Sequence, residues 1–176
     1  ELETINEVAK SLNAQAPIAF RVNPDVDAGS HDKISTGRKH DKFGIEWEQA
    51  PSIYQKAANM EHIDVRGVAV HIGSQLTELT PFEHAFAKVA ELVEYLRDQG
   101  HNITRLDLGG GLGIPYKQQD TPLPQDYAKM VIDIVGDLGC TLLFEPGRLI
   151  CGNAGILVSD VTYIKKNDER SFVVID

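Results

Sequence analysis

Short apolar runs alternate with amphipathic stretches along most of this chain, and that alternation limits its fold more than any other feature. Ile5, Val8, Ala9 and Leu12 lie at helical spacing, and Ile18-Ala19-Phe20-Arg21-Val22 follows as a strand-like run. A second helical pattern carries Ile53, Ala57 and Met60 and leads into a strand over 65–70. Thr80-Pro81-Phe82-Glu83 has the form of a capping box, after which Phe82, Phe86, Val89, Val93 and Leu96 recur at steps of three and four up to a stop at Gly100. A strand over 105–108 precedes a helix marked by Tyr127, Met130, Val131, Ile134 and Leu138, ending at Gly139, and 141–144 is the next strand. Strands separated by helices predict parallel βα units, and four of them make about half of an eight-stranded barrel.

Beyond Pro146 the pattern changes. Runs over 156–166 and 172–175 read as strands with no helix between them, so the chain is expected to divide into a partial barrel, 1–153, and the start of a β-rich domain, 154–176. The polar stretch from Asn23 to Ile45 exceeds ordinary loop length and is expected to be functional or mobile. Both ends fall inside patterned segments, from which the sequence is expected to be a stretch of a longer polypeptide.

Bulk properties narrow the partner. A net charge of -9 without a basic stripe argues against nucleic acid and for a small-molecule ligand. Cys140 and Cys151 lack metal-ligand or disulfide spacing, so no metal is expected and a cytoplasmic setting is. No apolar run has the roughly 20 residues a membrane span requires.

In parallel α/β architectures chemistry lies just past the carboxyl ends of the strands. The four runs here are followed by Arg21-Val22-Asn23-Pro24, His71-Ile72-Gly73-Ser74-Gln75, Gly109-Gly110-Gly111-Leu112-Gly113 and Glu145-Pro146-Gly147-Arg148. Three glycines after a strand suit either a tight turn or a backbone cradle for an anion, to which Ser74 could add a hydroxyl. The spacing fits neither a dinucleotide fingerprint nor a nucleoside-triphosphate loop. Glu145 and Arg148 read either as an ion pair closing a loop or as two separate contacts, a carboxylate for a ring nitrogen and a guanidinium for an anion. His71 by itself reads as a turn histidine.

Taken together and in this order, these motifs resemble the fold-type-III pyridoxal-phosphate decarboxylases, and within them the diaminopimelate decarboxylases. Ile34-Ser35-Thr36-Gly37 and Lys42-Phe43-Gly44 belong to the same resemblance, which spans nearly the whole chain. It implies a (β/α)8 TIM-like barrel of the alanine racemase/decarboxylase type and pyridoxal 5'-phosphate as cofactor. His71 would stack on the pyridine ring and Glu145 would pair with its nitrogen. Ser74, Gly109, Gly110, Gly111, Pro146, Gly147 and Arg148 would hold the phosphate, Arg148 would also meet a substrate carboxylate, and Arg21 would lie nearby.

The resemblance further implies a homodimeric enzyme of lysine biosynthesis that releases carbon dioxide from meso-diaminopimelate. Its Schiff-base lysine would lie before Glu1, and the remainder of its C-terminal domain after Asp176. The isolated stretch is accordingly expected to be inactive. A decarboxylase of ornithine, arginine or carboxynorspermidine, or a non-catalytic phosphate-binding piece, remains open at this point.

Overall fold

Residues 1–26, 43–116 and 120–176 are described in the computed structural model. Helix α1 (Leu2–Ser11) leads into β1 (Ala16–Asn23). The two-residue β2 (Ile45–Glu46) and a 3-10 turn over Trp47–Gln49 precede α2 (Ala50–Ala58) and β3 (Ile63–Ala69). Then come α3 (Thr80–Asp98), β4 (Arg105–Asp107), α4 (Pro124–Val135) and β5 (Thr141–Leu143). The chain finishes with a short α5 (Gly147–Cys151) and the strands β6 (Val161–Lys166) and β7 (Ser171–Ile175).

The first five strands form one sheet in the order β2-β1-β3-β4-β5, with parallel pairing throughout. This is the α/β arrangement expected from the alternation, a partial barrel whose sheet does not close. β2 is the addition: it lies at the end of the long polar stretch and pairs Ile45 with Val22. A two-residue strand carries too little periodicity to be read from sequence. β6 and β7 pair antiparallel in a separate two-stranded sheet. β6 begins at Val161, and Ile156, Leu157 and Val158, expected within it, are almost fully exposed outside any strand.

One face of the parallel sheet is covered. Val22, Val68, Val70, Leu106 and Leu108 pack against Phe82, Phe86, Val89, Val93 and Leu96 of α3 and Met130, Val131 and Val135 of α4. Tyr54 of α2 is fully buried, lies edge-on to Phe20 at 4.9 Å and donates its hydroxyl to the Gly67 carbonyl at 2.9 Å. At the base of the sheet, the Arg97 guanidinium donates to the carbonyls of Ile103 and Leu138, tying the end of α3 to the lead-ins of β4 and β5.

The other face carries residues of opposite parity. The register aligns Ala19, Gly67, Arg105 and Thr141 in one row, and Arg21, Ala69, Asp107 and Leu143 in the next. The following row reaches the strand-end motifs, so the alternation that buries aliphatic residues on the helices sends charged residues to the side where a barrel would enclose its site.

The capping box does not form. Thr80 is already helical, the N-cap is Leu79, and the Glu83 amide donates to the Leu79 carbonyl at 3.0 Å. With the helix entered one residue early, the Thr80 hydroxyl no longer stands where a cap accepts.

Replacing Phe86, fully buried among α3, α4 and the sheet, with alanine is expected to lower stability by about 3–5 kcal/mol. Phe172→Ala in the exposed β7 should change it by less than about 0.5 kcal/mol. Denaturant titration of the two variants measures the contrast, and equal effects would contradict this assignment of the core.

Candidate functional site

The strand ends converge through their backbones. After β4, Gly109 and Gly111 have φ of +64° and +107°, values that side-chain-bearing residues rarely adopt. The Glu145 amide donates to the Gly109 carbonyl at 2.8 Å, and the Leu76 amide donates to the Gly111 carbonyl at 2.9 Å. Packing is so close that a Cβ at Gly110 would stand 2.1 Å from the Glu145 carbonyl oxygen, and one at Gly111 would stand 2.3 Å from that of Gly73. The loops after β3 and β4 are further joined by Gln75, whose amide donates to the Ile114 carbonyl and accepts from the Ile114 amide.

This geometry corrects the expectation of three anion-facing amides. The Gly109 N–H donates to Oδ1 of Asp107 at 2.9 Å, and the Gly110 N–H donates to Nδ1 of His71 at 3.2 Å. Among the described residues only the Gly111 amide of the three has no hydrogen-bond partner, and the half-buried Ser74 hydroxyl has none either. The glycines are required by the approach of neighbouring loops as much as by any ligand.

His71 sits where the charged rows meet. Because Nδ1 accepts from Gly110, the neutral ring carries its proton on Nε2. Burial holds its pKa below the ordinary histidine value, the Arg21 guanidinium pushes the same way, and Glu145 and Asp107 oppose them. Arg21 donates to the His71 carbonyl at 3.3 Å and lies over the Phe43 ring at 5.3 Å, which places it beside His71.

The loop-closing ion pair is not formed. Among the described residues Glu145 makes no side-chain hydrogen bond or ion pair, while Arg148, in the first turn of α5, donates from Nη1 to the Tyr116 hydroxyl at 2.9 Å. A short helix replaces the simple turn at Pro146-Gly147 and turns the Arg148 side chain towards the loop after β4. Tyr116, Gln75 and Asp107 are neighbours that sequence reasoning did not assign. Asp107 alone left a signal, an aspartate two residues before a glycine, the spacing of an Asx turn. Ile34-Ser35-Thr36-Gly37 and Lys42 lie outside the described residues. No group of metal ligands occurs among the described residues, and no described helix is long and apolar enough to cross a membrane.

Residues 1–152 match the family described as pyridoxal-dependent decarboxylase, pyridoxal binding domain. The chain belongs to this family. Its relatives include the diaminopimelate decarboxylases of Pseudomonas aeruginosa, 46% identical over 176 residues, and Vibrio cholerae, 44% identical over 177, each match covering all of this chain and 42% of the relative. The diaminopimelate decarboxylase of Helicobacter pylori, solved in complex with L-lysine, superposes with a TM-score of 0.91 at 37% identity, covering 99% of this chain and 44% of that one. The chain thus spans less than half the length of the relatives it matches. In this pyridoxal-binding domain the match stops at residue 152, just past α5 and before the antiparallel pair.

Two outcomes follow from the geometry. Gly110→Ala is expected to destabilise the domain by at least about 2 kcal/mol through its collision with the Glu145 carbonyl, whereas Gly147→Ala, with open space at its Cβ, should leave stability nearly unchanged in thermal denaturation. His71 should titrate below about 6.5 in the folded protein. Since the unfolded chain then binds the proton more readily, stability present at neutral pH should fall as the pH drops from about 6.5 through the lowered folded value. Proton NMR of the ring and denaturation of His71→Gln check both statements, and a midpoint above the ordinary value would refute them.

Proposed function

We propose that this chain forms the phosphate and pyridine-nitrogen side of a pyridoxal 5'-phosphate site in a decarboxylase that converts meso-diaminopimelate to L-lysine. The observation that carries the reading is the meeting of a neutral half-buried imidazole, an unpaired carboxylate and two unpartnered donors at adjoining strand ends of a chain in this family. These residues fit the group. The Gly111 amide and the Ser74 hydroxyl, one on each of two interlocked loops, are donors with unmet capacity among the described residues.

When bound, pyridoxal phosphate supplies a protonated pyridine ring that withdraws electrons from the carbon losing carbon dioxide. Glu145 would hold the proton at the ring nitrogen, its carboxylate having no competing hydrogen bond among the described residues. His71, kept neutral by burial and by Arg21, would cover one ring face without adding a cation that opposes the pyridinium. Ser74, the Gly111 amide and the turn at Pro146, Gly147 and Arg148 would bind the phosphate, with Gly109 and Gly110 shaping the cradle. Arg148, held by Tyr116, would orient a substrate carboxylate.

The diaminopimelate substrate is favoured over ornithine, arginine or carboxynorspermidine by 42–46% identity to relatives bearing that enzyme name. A solved lysine decarboxylase from Selenomonas ruminantium, at 23% identity, shares the fold alone. The same reading takes residues 154–176 as the opening of a second, β-rich domain, and a homodimer as the assembly of the full-length enzyme. The cytoplasm is the proposed compartment, in keeping with two free cysteines.

Titration of the protein with pyridoxal phosphate, followed by absorbance and competed with inorganic phosphate, tests the site. Saturable binding is expected, and Ser74→Ala and Arg148→Ala should each weaken it about five- to tenfold. In assays of the full-length enzyme that contains this stretch, Glu145→Gln should lower turnover by about a hundredfold or more with cofactor affinity little changed. Absence of saturable binding would remove the proposal, and preferential binding of ornithine by the loaded protein would replace its substrate.

A further inference from the structure

Asp107 is a carboxylate in an uncomfortable place. It occupies the same row as Arg21, Ala69 and Leu143 on the uncovered sheet face, one step beneath His71 and Glu145, where a second negative charge works against an anionic ligand. Its Oδ1 accepts the Gly109 N–H at 2.9 Å, bridging from the last residue of β4 to the first glycine of the turn. Gly109 is thereby held at φ +64°, its carbonyl receives the Glu145 amide at 2.8 Å, and the next amide, that of Gly110, is delivered to Nδ1 of His71 at 3.2 Å.

We propose that Asp107 is a positioning residue: through Gly109 it fixes the glycine turn so that the Gly110 amide selects the Nε2-protonated form of His71 and the Gly111 amide is left for the ligand. The inference deepens the proposed cofactor site and rests on that reading for its ligand. The side-chain acceptor does the work, not the charge. An asparagine Oδ1 can accept the same Gly109 amide, whereas alanine frees that amide and lets the turn relax, loosening the hold on the ring. Three charged groups among the described residues also face His71: Arg21 from β1, Asp107 from β4 and Glu145 from the end of β5. A substitution that merely altered this field would act alike in D107N and D107A. One that acted through the turn would separate them.

The experiment is long-range proton–nitrogen NMR of the imidazole in the nitrogen-15-labelled protein, with His71 assigned by loss of its signals in H71Q, alongside pyridoxal phosphate titration. Wild type and D107N are expected to show the Nε2-protonated ring and affinities within about twofold of each other. D107A should show a mixture of tautomers and affinity lower by about five- to tenfold, the effect of one lost hydrogen bond at the site. A wild-type ring protonated on Nδ1 overturns the proposal whether or not any variant folds. So does D107A with an unchanged tautomer, or D107N behaving as D107A. If no form binds pyridoxal phosphate while the tautomers respond as described, the cofactor reading fails and the positioning role of Asp107 stands.

Discussion

Four glycines between residues 109 and 113 let the backbones of neighbouring strand-end loops come closer than any side chain would permit, and the site is assembled on that contact. A Cβ at Gly109, Gly110, Gly111 or Gly113 would lie 2.1–2.7 Å from a carbonyl oxygen of Val70, Glu145, Gly73 or Leu76 respectively. Such distances cannot be relieved by a rotamer change, because the obstruction is backbone fixed by its own hydrogen bonds. The loop after β4 is therefore wedged between those after β3 and β5, and the positions of His71 and Glu145 are set by the same interlock.

The parity of the strands supplies the second constraint. Successive residues alternate between the helix-packed face and the face where a barrel would hold its site, so Val68, Leu106 and Leu108 go to the core while Arg21 and Asp107 go to the other side. A one-residue slip would bury the charges and expose the aliphatic side chains, which makes the register strongly specified. His71 gains its lowered pKa from this arrangement: burial comes from the loops around it, and the fields of Arg21, Asp107 and Glu145 come from three neighbouring strands.

Much of this was legible beforehand. The periodicity of Phe82, Phe86, Val89, Val93 and Leu96 marked α3, and the four strand-end motifs marked which loops carry polar and glycine-rich chemistry. Of the two readings open for Glu145 and Arg148, the ion pair is the one not formed. Two local inferences did not hold: Thr80 is a helical residue and not a cap, and two of the glycine amides serve Asp107 and His71. Each failed for a similar reason: hydrogen-bonding capacity is a property of a residue, but the choice among several partners is made by whichever group the fold brings within about 3 Å in the right direction.

The sequence by itself determined the four alternating strands β1, β3, β4 and β5, their helices, their parallel order and the family, because hydrophobic period and motif order are carried by residue identity along one dimension. Only the tertiary structure decided which donors stay open and which protonated form of His71 is held. Those depend on distances across β1, β3, β4 and β5, between residues such as His71 and Gly110 that stand 39 positions apart in the chain and meet only when the sheet has formed.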